Sequence, residues 1–268
     1  EIASCLVGSE MCIRDRFKRW NDFSGWLVFL IAAFVYGMTI EPTASFWDCP
    51  EFISCAEKLQ VGHPPGAPFY MLVGNLFTQF ASDPSQVSRT VNFLNALLSA
   101  GCILFLFWSI TRLVRSLLKE EKENLSVTDV IIILGSGMVG ALAYTFSDTF
   151  WFSAVEGEVY AFSSFLTALV FWMILRWQDE SDTVYGDRWI ILIAYIIGLS
   201  IGVHLLNLLC IPAIVLVFYY QKYQTISLKG AIAAIALSGL LIVLILFVYI
   251  PGMADIGGWF ELLFVNAL

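Results

Sequence analysis

Long apolar stretches separated by short polar segments occupy most of the chain from residue 25 onward. A membrane-spanning helix needs about 20 mostly apolar residues. Five stretches approach that length, at residues 25–40, 91–111, 130–146, 160–175 and 231–250. A sixth, residues 189–220, is too long for one crossing, and Gly198, Gly202 and Pro212 favour a break within it. We therefore predict that it forms two short helices meeting near the sequence GVHLLN, which gives about seven spans.

Residues 66–81 are also apolar, and the positions of the basic residues indicate whether they cross. Short cytoplasmic loops are enriched in Lys and Arg. If residues 66–81 do not cross, seven spans place all 14 basic residues on one side except Lys58 and Arg89. If they cross, the basic residues divide nearly evenly between the two sides. We therefore predict an inside N-terminus and a helix at 66–81 that lies in, or dips into, the outer interface.

Composition agrees with this pattern. The chain is 59% hydrophobic and 13% charged, with a mean hydropathy of +0.80, whereas soluble domains are about half apolar and a quarter charged. We predict an all-α integral membrane protein in contact with the lipid bilayer. No basic patch with interleaved aromatic residues is present, so a nucleic-acid partner is not expected. None of the six cysteines forms a C-x-x-C motif, which argues against a zinc site or a redox pair.

The two ends differ from the rest of the chain. Residues 5–16, CLVGSEMCIRDR, lack hydrophobic periodicity and precede the first span. The last eight residues, ELLFVNAL, stop inside an apolar stretch without a terminating signal. We expect residues 1–16 to be a non-native prefix. We expect residues 17–268 to be the N-terminal part of a transmembrane domain that is truncated at its C-terminus.

A dense polar cluster follows the first span and begins with the sequence SFWDCPEF. Asp48 and Glu51 are three residues apart, so on a helix they share a face. Two interpretations remain open. The D-x-x-E pattern fits a capping box, with Asp48 as N-cap and Pro50 in the first turn. The same two carboxylates also suit chemistry in a cleft.

Other polar residues fall on the same predicted outer side. The sequence VGHPPGAP predicts a stiff extended connector, in which His63 could bind an anion or cap a helix. Glu156 and Glu158 could be solvated loop charges, or Glu158 could begin a helix. His204 and Asn207 lie in an apolar turn within reach of the membrane, where polar groups are costly and point to function. We predict that Glu156, Glu158, His204 and Asn207 converge with the first loop on one outward cleft.

Four segments of the chain resemble a known family. They are PTASFWDCPEFISCAEKLQVGHPPGAPFYMLVGNLF, VNFLNALLSA, SAVEGEVYAF and GLSIGVHLLNLL. Together they resemble the DUF2723 family, which is similar to the TMEM260-type protein O-mannosyltransferases and belongs with the GT-C glycosyltransferases. The resemblance runs from about Asn21 to the last residue. Pro50 departs from it, because glycine is expected there.

The resemblance implies a GT-C-like polytopic bundle with extracytoplasmic interfacial helices and a catalytic acidic residue in the first outer loop. It implies a glycosyltransferase that moves a sugar, expected to be mannose, from a polyprenyl-phosphate donor to a Ser/Thr hydroxyl of an exported protein. The expected location is a bacterial inner membrane, with the active face extracytoplasmic. On this chain the acidic pair falls on Asp48, the expected base, and Glu51, which would orient it or share its proton.

The same interpretation assigns roles in the reaction to the other polar residues. The donor phosphate is expected to meet His63, Arg89, His204 and Asn207, with Arg89 the best placed of them at the mouth of a span. Glu156 and Glu158 are expected near the acceptor or behind the base. No cofactor is assigned. Spare carboxylates could hold a divalent metal, but no ligand spacing argues for one.

Two other classes of protein compete with an enzyme. A transporter typically shows charges inside its spans and repeated halves with broken helices, whereas the predicted spans contain no Lys, Arg, Asp or Glu and show no internal repeat. A non-catalytic membrane scaffold accounts for the spans but not for the outer polar cluster.

Overall fold

In a computed structural model, the chain folds into helices joined by short loops. The structure describes residues 2–118, 125–223 and 225–267, with side chains from residue 16 onward, and contains no strand within those ranges. The α-helices are α1 (Ile2–Met38), α2 (Cys49–Lys58), α3 (Pro68–Thr78), α4 (Val87–Leu118), α5 (Val127–Thr145), α6 (Asp148–Ala154), α7 (Val159–Glu180), α8 (Asp187–Ile201), α9 (Cys210–Lys222), α10 (Leu228–Leu244) and α11 (Ile250–Ala267). Short 3₁₀ turns precede α4 and α9, and a π-helical turn, Ile245–Tyr249, joins α10 to α11.

Within the described residues, six helical segments are long and apolar enough to cross a membrane. They are Arg16–Met38, Pro84–Leu118, Val127–Thr145, Val159–Glu180, Leu205–Lys222 and Leu228–Ala267. The prediction of an all-α polytopic membrane protein is therefore confirmed. The remaining predicted span, the first half of residues 189–220, corresponds to α8. This helix has only 15 residues and rises about 22 Å, less than the hydrocarbon thickness of about 30 Å.

The predicted break near GVHLLN is present, and contacts with α3 explain where it falls. Helix α8 ends at Ile201, and the next helical turn begins at Leu205. The carbonyl of Gly202 accepts hydrogen bonds from the backbone N–H groups of Phe69, at 2.7 Å, and Tyr70, at 3.4 Å. A Cβ on Gly202 would lie 2.9 Å from Cβ of Phe69. The backbone therefore leaves the helix at the point where α3 docks against it.

Helix α3 is the ambiguous apolar segment, and it is too short to cross. Its 11 residues rise about 16 Å, against a hydrocarbon thickness of about 30 Å. One face, which includes Tyr70 and Met71, is buried against α2 and α4, and the other exposes Leu72 and Leu76. The prediction that residues 66–81 do not span the membrane is confirmed, while the side of the membrane on which they lie stays a prediction.

The chain divides into two compact units, residues 1–207 and 208–268. In the first unit α4 is central and packs against α1, α5 and α7. One core joins Val28, Ala32 and Tyr36 of α1 to α4 and α5. A second core lies beneath α2 and α3 and includes Val91 and Val203. This second core supports the functional residues described below.

The second unit consists of α9, the continuous α10–α11 helix and the loop between them. Helix α9 packs against α10, and the hydroxyl of Tyr219 accepts a hydrogen bond from the backbone N–H of Ser227 at 3.1 Å. The side chain of Ser227 in turn accepts from the backbone N–H of Gly230 and caps α10.

At the other end of the chain, helix α1 begins at Ile2, within the predicted prefix. The side chains of residues 1–15 lie outside the described residues, so the expectation that the prefix packs against nothing stays a prediction.

Candidate active site

A small cleft in the first unit brings together polar residues that are distant in sequence. Its volume is about 90 Å³, and it is lined by Asp48, Phe52, His63, Pro65, Gly66, Ala67, Glu158, Val159, Tyr160, Val203 and His204. The acidic and histidine side chains come from the start of α2, the loop before α3, the start of α7 and the loop after α8. Two of the four residues predicted to converge with the first loop, Glu158 and His204, line the cleft beside Asp48.

The carboxylate of Asp48 does not cap α2, although Asp48 occupies the N-cap position. An N-cap side chain reaches the free N–H groups of the first turn from an extended backbone conformation. Asp48 instead has helical angles, with φ −85° and ψ −8°, and makes no capping hydrogen bond. Pro50, in the first turn, has no N–H to offer. The capping-box interpretation of D-x-x-E is therefore wrong, and the Asp48 side chain, 58% exposed, lines the cleft.

Glu51 forms a two-point pair with His63 instead of a capping box. The backbone N–H of His63 donates to Oε1 of Glu51 at 2.6 Å, and Nδ1 of His63 lies 3.1 Å from Oε2. Hydrogen bonding from the His63 backbone and side chain lowers the pKa of Glu51. The side-chain hydrogen bond between His63 and the Glu51 carboxylate is also the main cause of the raised pKa of His63. While Nδ1 of His63 donates to Glu51, Nε2 on the other side of the ring lies 3.9 Å from Oδ2 of Asp48.

A tight turn sets the position of His63. The backbone N–H of Gly66 donates to the carbonyl of His63 at 2.8 Å. Gly66 has φ +84°, a conformation that glycine adopts without steric cost. The prediction of an extended connector at VGHPPGAP is therefore wrong, because the hydrogen bond closes residues 63–66 into a turn. His63 caps no helix; Ala67 occupies the N-cap position of α3.

Glu156 and Glu158 are buried, so the interpretation of both as solvated loop charges is wrong. Only 6% of Glu156 and 5% of Glu158 are exposed. Burial raises the pKa of Glu156, against the effect of the Ser45 hydroxyl, which donates to its Oε2. Burial, together with the charges of Glu156 and Asp48, raises the pKa of Glu158 to about 7. Glu158 does begin α7, at its N-cap position, but its side chain makes no capping bond.

His204 presents a hydrogen-bond donor to the cleft. The backbone N–H of Leu206 donates to Nδ1 of His204 at 3.1 Å, so the proton of the neutral ring lies on Nε2. Burial lowers the pKa of His204, which favours this neutral form. The ring lies beside Tyr160, with 5.5 Å between ring centroids. Asn207 is fully buried and does not line the cleft.

Arg89, the predicted phosphate ligand, is exposed on α4 and is not among the residues that line the cleft. The lining contains neither Lys nor Arg, so His63 and His204 are its potential cations. His63, with its raised pKa, is the better candidate for a positive charge at neutral pH.

Sequence reasoning missed two asparagines that support the site from α4. Asn92 and Asn95 are both fully buried. The side chain of Asn92 donates to backbone carbonyls of the first loop, and that of Asn95 donates to backbone carbonyls of the Glu156–Glu158 segment. The sequence VNFLNALLSA contains both residues, and their i, i+3 spacing on one face of a span was the available signal.

The cluster at α2 also has a donor set that suits a cation. Ligand atoms of Asp48, Glu51 and His63 lie within 4.8 Å of one another. Carboxylate oxygen and imidazole nitrogen together suit several divalent metals. Because Nδ1 of His63 faces Glu51, the ring would bind such a cation through Nε2, and Glu51 would orient the ring.

The fold and the cleft define a class: a polytopic helical membrane protein with paired carboxylates and histidines gathered where its helices end. Residues 48–227 match the family model for the N-terminal domain of the protein O-mannosyl-transferase TMEM260. The chain belongs to this family, and the resemblance read from its sequence is confirmed.

Two curated relatives were compared with the chain over most of its length. The protein O-mannosyl-transferase tmem260 of Dictyostelium discoideum is 24% identical over 201 residues, which cover 72% of this chain and 22% of the relative. The protein O-mannosyl-transferase TMEM260 of Mus musculus is 27% identical over 229 residues, or 84% of this chain and 29% of the relative. The chain thus spans less than a third of the length of these relatives. No solved structure matches it.

Proposed function

We propose that the full-length protein is a membrane glycosyltransferase that moves mannose from a polyprenyl-phosphate donor to a Ser or Thr hydroxyl of an exported protein. The relatives described above are named protein O-mannosyltransferases, which supports the reaction class. The single observation that carries the proposal is the position of Asp48. Its carboxylate makes no capping bond and lines the same cleft as Glu158, His63 and His204.

Asp48 is the proposed base. As the acceptor hydroxyl attacks the anomeric carbon of the sugar, its proton passes to the Asp48 carboxylate, a suitable acceptor when it lies within hydrogen-bond reach. A new bond forms between the acceptor oxygen and the anomeric carbon. The bond between that carbon and the phosphate oxygen breaks, and polyprenyl phosphate leaves with the electron pair. Asp48 later returns the proton to water.

The leaving phosphate needs hydrogen-bond donors or positive charge. His204 supplies a donor at Nε2, because its Nδ1 is occupied by the Leu206 N–H. His63 supplies a second donor when it is protonated, and Glu51 favours that state. Of the four residues predicted to meet the donor phosphate, these two histidines line the cleft.

The size of the cleft limits what this part of the protein holds. Pockets for small molecules usually measure about 300–1,000 Å³, whereas this cleft measures about 90 Å³. We infer that it receives the reacting groups and not a whole lipid-linked sugar. If a divalent cation binds, Asp48 and His63 would hold it, and it would supply additional positive charge for the phosphate.

The experiment replaces Asp48 in the full-length protein and measures transfer of mannose from a polyprenyl-phosphate donor to a Ser/Thr peptide. We expect Asp48→Asn to lower the rate by about 10²–10⁴-fold, the usual cost of losing a positioned base, with an unchanged melting temperature. Glu57→Gln is the matched control, because Glu57 is an exposed carboxylate on the same helix that does not line the cleft. Full activity in Asp48→Asn would remove Asp48 from the reaction.

We further propose that the cleft faces the extracytoplasmic side of a bacterial inner membrane. The span Pro84–Leu118 carries Ser85 near one end and Ser116 near the other, and both are exposed. In a background without reactive cysteines, an impermeant maleimide added to intact cells should label Ser85→Cys and not Ser116→Cys. Labelling of Ser116→Cys alone would reverse the orientation and contradict the proposal.

A further inference from the structure

Asn95 holds the segment that carries the two buried acids. Its Nδ2 donates to the backbone carbonyls of Glu156, at 2.5 Å, and Glu158, at 2.6 Å. Its Oδ1 accepts from the Tyr70 hydroxyl at 3.4 Å. Asn95 and Tyr70 are both fully buried, and the Glu156 carbonyl also accepts from the backbone N–H of Glu158 at 3.0 Å. One side chain therefore fixes the backbone on both sides of Gly157.

Asn92 holds the other segment that enters the site, three residues earlier on the same helix. Its Nδ2 donates to the carbonyls of Glu41, at 2.6 Å, and Thr43, at 2.9 Å. These residues lie in the first loop, which leads directly to Asp48. Because Asn92 and Asn95 share one face of α4, a single rigid helix sets the distance between the loop that carries Asp48 and the segment that carries Glu158.

Gly157 allows the close approach on which this arrangement depends. A Cβ at Gly157 would lie 2.9 Å from Cγ1 of Ile53 and 3.0 Å from Oδ1 of Asn92. Any side chain here would push the segment away from α2 and α4. The sequence Glu-Gly-Glu therefore places two carboxylates beside a backbone that packs against a helix of the core.

We propose that Asn95 is a positioning residue of the transfer reaction: by holding the Glu156 and Glu158 carbonyls, it keeps the Glu158 side chain buried in the cleft opposite Asp48. Asn92 makes the corresponding hold on the first loop. This inference rests on the function proposed above, since the position of Glu158 affects a rate only if the transfer reaction takes place in this cleft. The effect of Asn95 on the backbone of the Glu156–Glu158 segment can nevertheless be measured without an assay of mannose transfer.

The surroundings of Glu158 make its protonation a sensitive probe of that position. The groups that face it are Glu156 in its own segment, Asp48 before α2 and His63 before α3, together with Tyr70 on α3 and His204 after α8. Burial is the largest cause of its raised pKa, and the histidine charge opposes that rise. If the segment comes loose and Glu158 becomes hydrated, its pKa must fall toward the ordinary value.

The test uses the full-length protein with Asn95→Leu, which keeps a similar volume but removes the donor. Ser99→Ala is the matched control, because Ser99 is fully buried one turn further along α4 and its hydroxyl has no partner among the described residues. We expect Asn95→Leu to lower kcat by about 10²-fold, the cost of a misplacement of about 1 Å, with little change in KM. Ser99→Ala should leave both constants near wild type.

The second readout is labelling of Glu158 by dicyclohexylcarbodiimide, which reacts with protonated carboxyl groups, followed by peptide mass spectrometry. In the wild type the label should be present below about pH 7 and lost above it. In Asn95→Leu the loss should occur at lower pH, and Glu158→Gln provides the blank. A wild type that labels as expected but transfers no mannose would contradict the proposed function and the role of Asn95 in transfer, while loss of the label at lower pH in Asn95→Leu would still show that Asn95 holds the segment.

Tyr70→Phe covers the case in which Asn95→Leu does not fold, because it removes only the hydrogen bond to Oδ1 of Asn95. We expect changes in kcat and in labelling in the same direction as for Asn95→Leu, but smaller. Wild-type kcat together with a wild-type labelling profile in the folded variants would overturn the inference.

Discussion

Two acidic pairs each supply one residue to the cleft, and the surroundings of the two pairs are opposite. The pair at α2, Asp48 and Glu51, has side chains that are 58% and 39% exposed. The pair before α7, Glu156 and Glu158, is at least 94% buried. The pKa of Glu51 is lowered by hydrogen bonds from His63, whereas that of Glu158 is raised by burial to about 7.

The difference shows how four carboxylates can take different roles at one pH. Carboxylates whose surroundings push their pKa values apart can serve as separate acid and base. At neutral pH the Glu51 side chain is ionised and only accepts hydrogen bonds, while a large fraction of Glu158 is protonated and can donate one. Glu51 therefore suits hydrogen-bond acceptance and Glu158 suits hydrogen-bond donation, although both are the same chemical group.

The largest expected effect concerns stability and the buried pair. A carboxyl whose pKa rises on folding stabilises the protein fully below its unfolded pKa, and this contribution is lost as pH rises through the folded pKa. For Glu158 the window runs from 4.5 to about 7. Glu158→Gln keeps the shape without the charge. We expect it to be about as stable as wild type near pH 4.5 and up to about 3 kcal/mol more stable at pH 8.

This prediction is checked by melting temperatures of the full-length protein at pH 4.5, 6 and 8, with Glu57→Gln as the exposed control. A Glu158→Gln variant that is less stable than wild type at pH 8 would show that Glu158 is ionised and favourably bound, and the contrast between the two pairs would fail.

The next effect concerns the exposed pair. Glu51→Gln removes the carboxylate whose hydrogen bond is the main cause of the raised pKa of His63, so the pKa of that imidazole should fall. Less of it is then protonated at pH 7, and we expect transfer to fall about tenfold, less than the 10²–10⁴-fold expected for loss of a positioned base. Histidine NMR of labelled protein would follow both rings, with His204 as the internal reference. An unchanged titration of His63 would mean that the pairing is absent.

The smallest effect tests the only side-chain bond described for Glu156, the one from the hydroxyl of Ser45. Ser45→Ala should raise the pKa of Glu156 further, because the bond favours its ionised form. We expect a loss of stability of about 1 kcal/mol at pH 8. Ser54→Ala, an exposed hydroxyl that bonds a carbonyl of its own helix, should change the melting temperature less. If Ser45→Ala and Ser54→Ala changed the melting temperature equally, the carboxylate of Glu156 would be hydrated and not buried.

The spans and the partners of the cleft could be predicted from the sequence, for different reasons. Apolar length predicted the spans, because membrane thickness sets a minimum for crossing, and the distribution of basic residues predicted that α3 does not cross. The convergence of Glu158 and His204 with Asp48 followed from placing alternate loops on one side. The break after α8 could also be predicted from the length of residues 189–220 and their Gly and Pro residues. The docking of α3 at Gly202 could not, because it is a contact between residues more than 100 positions apart.

The individual roles of the polar residues were harder to predict. The D-x-x-E pattern favoured a cap, but Asp48 has helical backbone angles and follows Trp47, which has φ 62°. Glu156 and Glu158 were interpreted as loop charges because their burial depends on distant segments, which a local sequence pattern does not reveal. Asn92 and Asn95 read as ordinary polar residues of a span, because their partners are backbone carbonyls, which carry no sequence signal.

The continuous helix of the second unit has a consequence for the membrane around it. Leu228–Ala267 comprises 40 residues and rises about 60 Å, about twice the hydrocarbon thickness. Even at a tilt of about 40°, the upper end of the usual range, a straight helix of this length would project about 46 Å along the bilayer normal. The π-helical turn near its midpoint, followed by Pro251, is where a bend costs least. If the part before the bend crosses the bilayer, the residues beyond Ile250 can lie along the headgroup layer, where the indole of Trp259 is well suited to anchor them.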